Sequence, residues 1–339
     1  MLQDVQRIII LRALKLGDLL CTVPAFRALR LAFPTAHITL AGLPWATAFQ
    51  ERFPHYIDEL VTFPGYPGLP EQEPDAAAFD AFMQGRQQAG YDLALQLQGN
   101  GTIVNDIVKQ WNARYTAGFV PAGETPPTPL FTTYPEDLHE IRRHLHLLEH
   151  IGIPATQTML EFPLTSADRR AFEALALPAG DYEYVCIHPG ASVPERRWPT
   201  AYFAAMADYL ASEGWKVILT GTAQEKALTA EVKGYMRFPA IDLAGGTSLG
   251  CMAQLIRNCR ALVCNCTGVS HIAAATATPS LVISMDGEPH RWAPLRHHLH
   301  CTIDWTRQPA MERIYHQCDE LLARTSHREP VFKPAATPC

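Results

Sequence analysis

The sequence lacks most of the features that mark a specialised chain. No apolar run approaches the roughly 18 residues needed to span a bilayer. Met1 to Arg7 carries one basic residue and leads only into Ile8-Ile9-Ile10-Leu11, too short for a signal peptide. The nine cysteines are scattered, with no Cys-x-x-Cys pair at zinc spacing, which points to a reduced, cytoplasmic compartment. Positive charge is in short supply, 28 Lys and Arg against 34 Asp and Glu, a net of −6. That balance excludes a general nucleic-acid binder, whose phosphate contacts need a basic surface. No Gly-x-Gly-x-x-Gly is present after the first apolar run, so a dinucleotide fingerprint is absent and hydride transfer is disfavoured. Nor is there an Asp-x-Asp pair that could hold a divalent ion.

What is present is an ordinary globular composition, 47% hydrophobic and 18% charged, which rules out a disordered or collagen-like chain. Its 339 residues suggest about two domains, at roughly 150 residues each. The 27 prolines are the unusual number; they fall mostly between predicted elements, with clusters in 64–74, 121–135 and 328–339.

Short apolar runs alternate with helical patterns. Strands are predicted at Arg7–Ala13, His37–Ala41, Asp58–Phe63 and Tyr91–Leu97, with helices at Val23–Phe33 and Ala77–Gln88. The rhythm restarts with strands at Tyr184–His188, Lys216–Thr220, Ile241–Ala244, Ala261–Asn265 and Ser280–Ser284. Helices are predicted between them at Thr200–Ser212, Gln224–Met236, Leu249–Asn258 and Ser270–Ala277, and a final one at Met311–Thr325. Strands separated by helices predict parallel sheets with right-handed crossovers, hence two doubly wound α/β domains. The boundaries expected are 1–170, 171–325 and a frayed tail at 326–339.

Three segments carry candidate chemistry. Leu14-Lys15-Leu16-Gly17-Asp18 follows the first strand, at the sheet edge where open α/β folds bind ligands. Asp18 there is either a functional carboxylate or a helix N-cap, the latter worth about 1 kcal/mol. His188-Pro189-Gly190-Ala191-Ser192, leading to Arg196-Arg197-Trp198-Pro199, offers free amides and two guanidiniums suited to a diphosphate, or else a solvated arginine pair beside a core tryptophan. Cys266-Thr267-Gly268-Val269-Ser270-His271 starts a helix with a glycine and hydroxyls, a ready anion site, although an apolar helix with one histidine is more often packing. Two further signals are weaker. His146-Leu-Leu-Glu149-His150 matches an inverted zinc-peptidase pattern, but Ile141, Leu145 and Leu148 make the segment a plain amphipathic helix. His290, Arg291, Arg296, His297, His298 and His300 read as a polar loop that could face an acidic ligand.

Taken together the segments resemble family 9 glycosyltransferases, the heptosyltransferases of lipopolysaccharide assembly, over nearly the whole chain from Arg7 to about Thr325. The anchors are Leu16-Gly17-Asp18 with Pro24 and Leu29; Tyr91-Asp92 with Gln98-Gly99-Asn100; and His188-Pro189-Gly190 with Arg196-Arg197-Trp198-Pro199. To these are added Leu219-Thr220-Gly221 with Glu225, Thr247-Ser248-Leu249 and Thr267 through Ala275. The resemblance implies a GT-B fold, two facing Rossmann-like domains with a cleft between them. It implies Asp18 as catalytic base in an inverting, metal-independent transfer, with no cofactor. Ser192, Arg196, Arg197, Thr267, Gly268 and His271 would cradle the donor diphosphate. Gly221, Glu225 and Leu249 would contact the nucleoside, Glu225 through the ribose, and Gly17, Gln98 and Asn100 would lie on the acceptor side. The implied partners are a nucleotide-sugar donor, ADP-heptose or similar, and a glycan or glycolipid acceptor met in transient contact with the inner face of the inner membrane. One residue departs from the pattern: the family has an Asp before Thr/Ser-Gly, contacting donor-sugar hydroxyls, where this chain has Cys266. A different donor, a compensating group elsewhere and reduced activity are the three explanations. A nucleotide-sugar-binding protein that no longer transfers is therefore the competing reading, and a zinc hydrolase using His146 and His150 is a third.

Overall fold

The computed structural model describes residues 2–178, 182–307 and 309–325; the tail predicted at 326–339 lies outside them. The chain divides into two compact units, Met1–Met159 and Leu160–Cys339. The helix Ser166–Glu173 packs against the helix Leu249–Asn258, so the segment that follows residue 160 belongs with the second unit.

In the first unit six strands, β1 (Arg7–Leu11), β2 (His37–Gly42), β3 (Glu59–Thr62), β4 (Leu93–Gln96), β5 (Tyr115–Val120) and β6 (Phe131–Thr133), form a sheet in the order β3-β2-β1-β4-β5-β6. Every pair is parallel. β1 and β4 are buried almost throughout, which is why they read as continuous apolar runs rather than alternating ones. The second unit repeats the plan with β7 (Tyr184–His188), β8 (Lys216–Leu219), β9 (Ala240–Asp242), β10 (Leu262–Asn265), β11 (Ser280–Ser284) and β12 (His300–Asp304), in the order β12-β11-β10-β7-β8-β9, again all parallel. In each sheet the strand order reverses beside the unit's first strand, between β1 and β4 and between β7 and β10. The carboxyl ends of those strands form the crevice where open sheets bind ligands. This is the GT-B arrangement of two parallel six-stranded α/β units.

Several elements differ from expectation. The first helix runs Leu16–Ala32, from well before Val23, and contains Pro24. Lys15, in extended conformation, precedes it without a side-chain cap, and buried Leu19, Leu20 and Val23 drive the early start despite Gly17. Asp18 is thus not an N-cap but sits inside the first turn. Proline at 24 removes one N–H from the helix ladder, a cost that burial of the surrounding apolar face offsets. β6 lies in the stretch 121–135 that its prolines predict to be irregular, and β5 accommodates Gly118 because Gln96 of β4 crowds it: a Cβ there would meet the Gln96 Cβ at 2.8 Å. β12 is a polar edge strand at the end of the histidine-rich stretch predicted as loop. The helix Met311–Arg324 buries Ile314, Cys318 and Leu321 in the same core as Trp198, Phe203 and Trp305. Fully burying side chains of this size contributes about 1.5–3 kcal/mol each.

Candidate active site

In the first unit β1 leads directly into Arg12, whose side chain is fully buried. Its Nη2 lies 3.0 Å from Glu140 Oε1, 3.3 Å from the Asp18 carbonyl oxygen and 3.6 Å from Asp18 Oδ1. Nη1 of Arg12 donates to the Leu97 carbonyl at the exit of β4. Glu140, at the start of the helix Glu140–His150, is itself buried and also pairs with Arg143 at 3.1 Å and His144 at 3.6 Å. Burial, with the nearby guanidinium of Arg12, pushes the His144 ring down to about 3, so it is neutral and leaves Glu140 to the two arginines. Two buried cations thus face one buried carboxylate and Asp18. The side chain of Asp18 remains a quarter exposed, in the first turn of its helix, where the macrodipole favours a negative charge.

The acceptor-side candidates are used in different ways. Gln98 is buried, and its Oε1 accepts the Ala13 N–H at 2.7 Å, tying the exit of β4 to that of β1. Asn100 Oδ1 closes a local turn, accepting from the Thr102 N–H at 3.1 Å and its hydroxyl at 2.8 Å. Gly17 lies one residue before Asp18 in the first helical turn. A further carboxyl comes from the proline-rich loop: Glu71 is pushed above the usual carboxylate range, chiefly by burial, with the charge of Asp18 adding to the effect and Lys15 and Arg12 opposing it.

In the second unit a buried asparagine assembles the crevice. Asn265 ends β10, accepts the Trp198 N–H at 2.9 Å and donates from Nδ2 to the Pro189 carbonyl at 2.8 Å and the Gly190 carbonyl at 3.3 Å. It therefore joins the loop after β7, the Arg196–Trp198 segment and the turn into the helix Gly268–Ala275. The two arginines separate in role. Arg197 donates through Nε and Nη2 to the Ala191 carbonyl, at 3.2 and 3.0 Å, and braces the loop. Arg196 is more than a third exposed, and its Nε lies 3.3 Å from Asp286 Oδ2. Ser192 is exposed in the braced loop. Thr267 precedes the helix in extended conformation without capping it, and its hydroxyl is sealed from solvent with no hydrogen-bond partner. Gly268 opens the helix, and His271 is buried in its first turn. Amides at such a terminus, a guanidinium and an unspent hydroxyl suit an anionic group.

On the other side of β7, Gly190 and Glu225 are in close approach: a Cβ at 190 would fall 2.1 Å from Glu225 Oε1 and displace the carboxylate from its place. Glu225 Oε2 accepts the Thr222 N–H at 2.7 Å and its hydroxyl at 2.9 Å, a capping box that holds one carboxylate oxygen and leaves Oε1 against Gly190. Gly221 is buried, its carbonyl accepting the Gly245 N–H at 2.9 Å. Leu249 is half-buried at the start of a helix capped by Ser248 Oγ.

Cys266 lies beside this cradle. Burial, reinforced by the Asp286 carboxylate and opposed by Arg196, pushes its thiol up to about 12, so it is neutral. Of the histidine-rich stretch, His300 is interior, its Nδ1 2.8 Å from Ser280 Oγ, while the carbonyls of His297 and His298 accept from Arg324. His146 and His150 lie on the helix Glu140–His150, where His150 Nε2 sits 3.0 Å from the Pro129 carbonyl. Among the described residues no group of three or more His, Cys, Asp or Glu is placed to hold a metal ion, and no helix is long and apolar enough to cross a membrane. Sequence reasoning missed Arg12, Glu140, Asn265 and Asp286 as site-building residues. The available signal was a polar or charged residue ending an apolar strand, present in Arg12 after IIIL and Asn265 after LVC.

Comparison with known proteins points to one family. The model of glycosyltransferase family 9 (heptosyltransferase) matches residues 81–321. Lipooligosaccharide heptosyltransferase 2 of Haemophilus influenzae is 32% identical over 131 residues, 37% of this chain and 38% of that protein. Lipopolysaccharide heptosyltransferase 2 of Escherichia coli K12 is 25% identical over 313 residues, 83% of each chain. The solved structure of the E. coli ADP-heptose lipopolysaccharide heptosyltransferase II superposes with a TM-score of 0.75 at 19% identity, covering 95% of this chain and 100% of that one. With the family model spanning well over half of its residues, the chain belongs to glycosyltransferase family 9.

Proposed function

We propose that this glycosyltransferase moves a heptose from ADP-heptose onto a lipopolysaccharide-core acceptor, with inversion and without a metal ion. Asp18 removes the proton from an acceptor hydroxyl as that oxygen attacks the anomeric carbon. The bond from that carbon to the donor phosphate oxygen breaks on the opposite face, and its electron pair leaves with the diphosphate. General-base help of this kind is worth about 10²–10⁴-fold. Arg196, the amides at the Thr267–Gly268 helix terminus and the Thr267 hydroxyl meet the charge that develops on the diphosphate, preorganised donors whose individual loss costs about 10²–10³-fold. His271 and Ser192 complete the cradle, Arg197 holds its loop, and Glu225, Gly221 and Leu249 receive the nucleoside. Gly17, Gln98 and Asn100 shape the acceptor side, and a lipid-anchored acceptor brings the protein into transient contact with the inner face of the membrane.

The observation that carries this reading is the convergence of Arg196 and the unspent Thr267 hydroxyl at the carboxyl ends of β7 and β10, where the strand order reverses. A thermal-shift screen with ADP-, GDP-, UDP- and dTDP-sugars, followed by a transfer assay with the best donor, tests it. ADP-heptose should stabilise the protein by mass action and be consumed with a core acceptor; stabilisation by none of the four would sink it. Cys266 favours a second reading, a nucleotide-sugar-binding protein without transfer, which predicts the same stabilisation but no product with any core glycan.

A further inference from the structure

Cys266 and Asp286 meet at one corner of the second unit. Cys266 follows β10, Asp286 follows β11, and the charges of Asp286 and Arg196 both act on the thiol. A neutral thiol is a weak hydrogen-bonding group, unable to hold a sugar hydroxyl as a carboxylate would. Asp286, by contrast, is a carboxylate held in place from two sides. Its Oδ1 accepts the Ser284 hydroxyl at 2.8 Å and the Glu288 N–H at 3.2 Å, and its Oδ2 lies 3.3 Å from Arg196 Nε. Its side chain is 15% exposed, so it is partly desolvated yet reachable. Pairing through Nε leaves the two terminal nitrogens of Arg196 for a second anion. The outer oxygen of Asp286 keeps a lone pair for a hydroxyl beside that anion.

We propose that Asp286 sets donor specificity: its outer carboxylate oxygen accepts a hydroxyl of the sugar being transferred. The carboxylate that position 266 does not supply comes instead from the neighbouring strand exit. This rests on the second unit being the donor site, as proposed above.

Calorimetry with the full chain tests it, using ADP, GDP, UDP and dTDP and the matching probes ADP-heptose, GDP-mannose, UDP-glucose and dTDP-rhamnose. For the base that binds, the wild type should hold the sugar nucleotide about tenfold or more tighter than the bare diphosphate, the strength of a hydroxyl bonded to a charged group. Asp286→Asn keeps an oxygen for Arg196, and should cut that ratio to about threefold or less while bare-diphosphate affinity stays within about twofold. Asp286→Glu, which retains the charge but displaces it, should also lower the ratio and serves if the Asn variant does not fold. An unchanged ratio in the substituted protein overturns the proposal, as does an equal loss for diphosphate and sugar nucleotide, which would reduce Asp286 to a support for Arg196. A wild-type protein that binds none of the four diphosphates overturns the donor-site reading itself.

Discussion

Arg12 grips Asp18 at two points, its Nη2 lying 3.3 Å from the backbone carbonyl and 3.6 Å from Oδ1. The same nitrogen is 3.0 Å from buried Glu140, so the guanidinium is neutralised from behind and Asp18 is not its sole counter-ion. A carboxylate oriented by a cation but not locked to it is suited to taking a proton from a partner.

Replacing Asp18 by Asn should lower kcat by about 10²–10⁴-fold, the usual worth of a general base. Nucleotide affinity should be unchanged, because the residues proposed to bind the donor lie in the other unit. Folding should be little affected, since Asp18 does not cap its helix. Turnover assays beside calorimetry check this, and undiminished turnover would remove Asp18 from the mechanism.

Removing Glu140 has the opposite signature. Glu140→Ala strands Arg12 and Arg143 in the interior, and breaking a buried ion network costs about 3–5 kcal/mol. Urea unfolding should show the loss, with nucleotide binding by the second unit preserved at low denaturant. A change under 1 kcal/mol would mean, by the same principle, that water reaches the network.

Asn265→Leu leaves the Trp198 N–H and the Pro189 and Gly190 carbonyls without their partner. Each unpaired buried group costs about 1–3 kcal/mol, and the loop bearing Arg196 loses its anchor. Both a lowered Tm and a nucleotide affinity weakened by about tenfold or more are expected, the second from misplacing a charge-assisted contact. A lowered Tm with full affinity would confine Asn265 to structure.

Acid should destabilise the protein through two interior histidines. Burial is the largest cause pushing both His144 and His300 down to about 3, with Arg12 adding to it at His144 and Arg296 at His300. The unfolded chain therefore binds protons that the folded chain refuses between about pH 6.5 and 3, and stability falls as pH drops through that window. Each histidine contributes a slope of up to about 1.4 kcal/mol per pH unit. Unfolding free energies at pH 7.5 and 5.5 should differ accordingly, and His300→Asn should flatten the dependence; an unaltered slope would show that His300 takes up its proton in the folded state.

The thiol of Cys266, near 12, is almost wholly protonated at pH 8, with a thiolate fraction of about 10⁻⁴. Iodoacetamide should label it about 10³-fold more slowly than a free cysteine, since only the thiolate reacts. Peptide mass spectrometry over time resolves this, and labelling at the rate of free cysteine would show an exposed, activated thiol.

The buried strands were legible because parallel sheets covered on both faces demand continuous apolar runs, as in Ile8–Leu11 and Tyr184–His188. Asp18, Arg196 and Thr267–His271 stood out as candidates because they follow apolar strands, while the roles proposed for them came from the family resemblance. The start of the first helix was not legible: Gly17 reads as a break, and only the burial of Leu19 and Leu20 outweighs it. Short polar edge strands such as β6 and β12 carry almost no local signal, since their pairing comes from the neighbour rather than from their own residues. Local sequence, then, determined the order of elements and the residue types at each strand exit. Tertiary structure alone decided which of those residues are spent on scaffolding, as Arg197 on Ala191 and Gln98 on Ala13, and which keep a group to offer, as Arg196 and Thr267. The reason is physical: a hydrogen-bonding group's availability depends on partners distant in the chain, and Glu140, Asn265 and Asp286 reach their positions only when the sheets have formed.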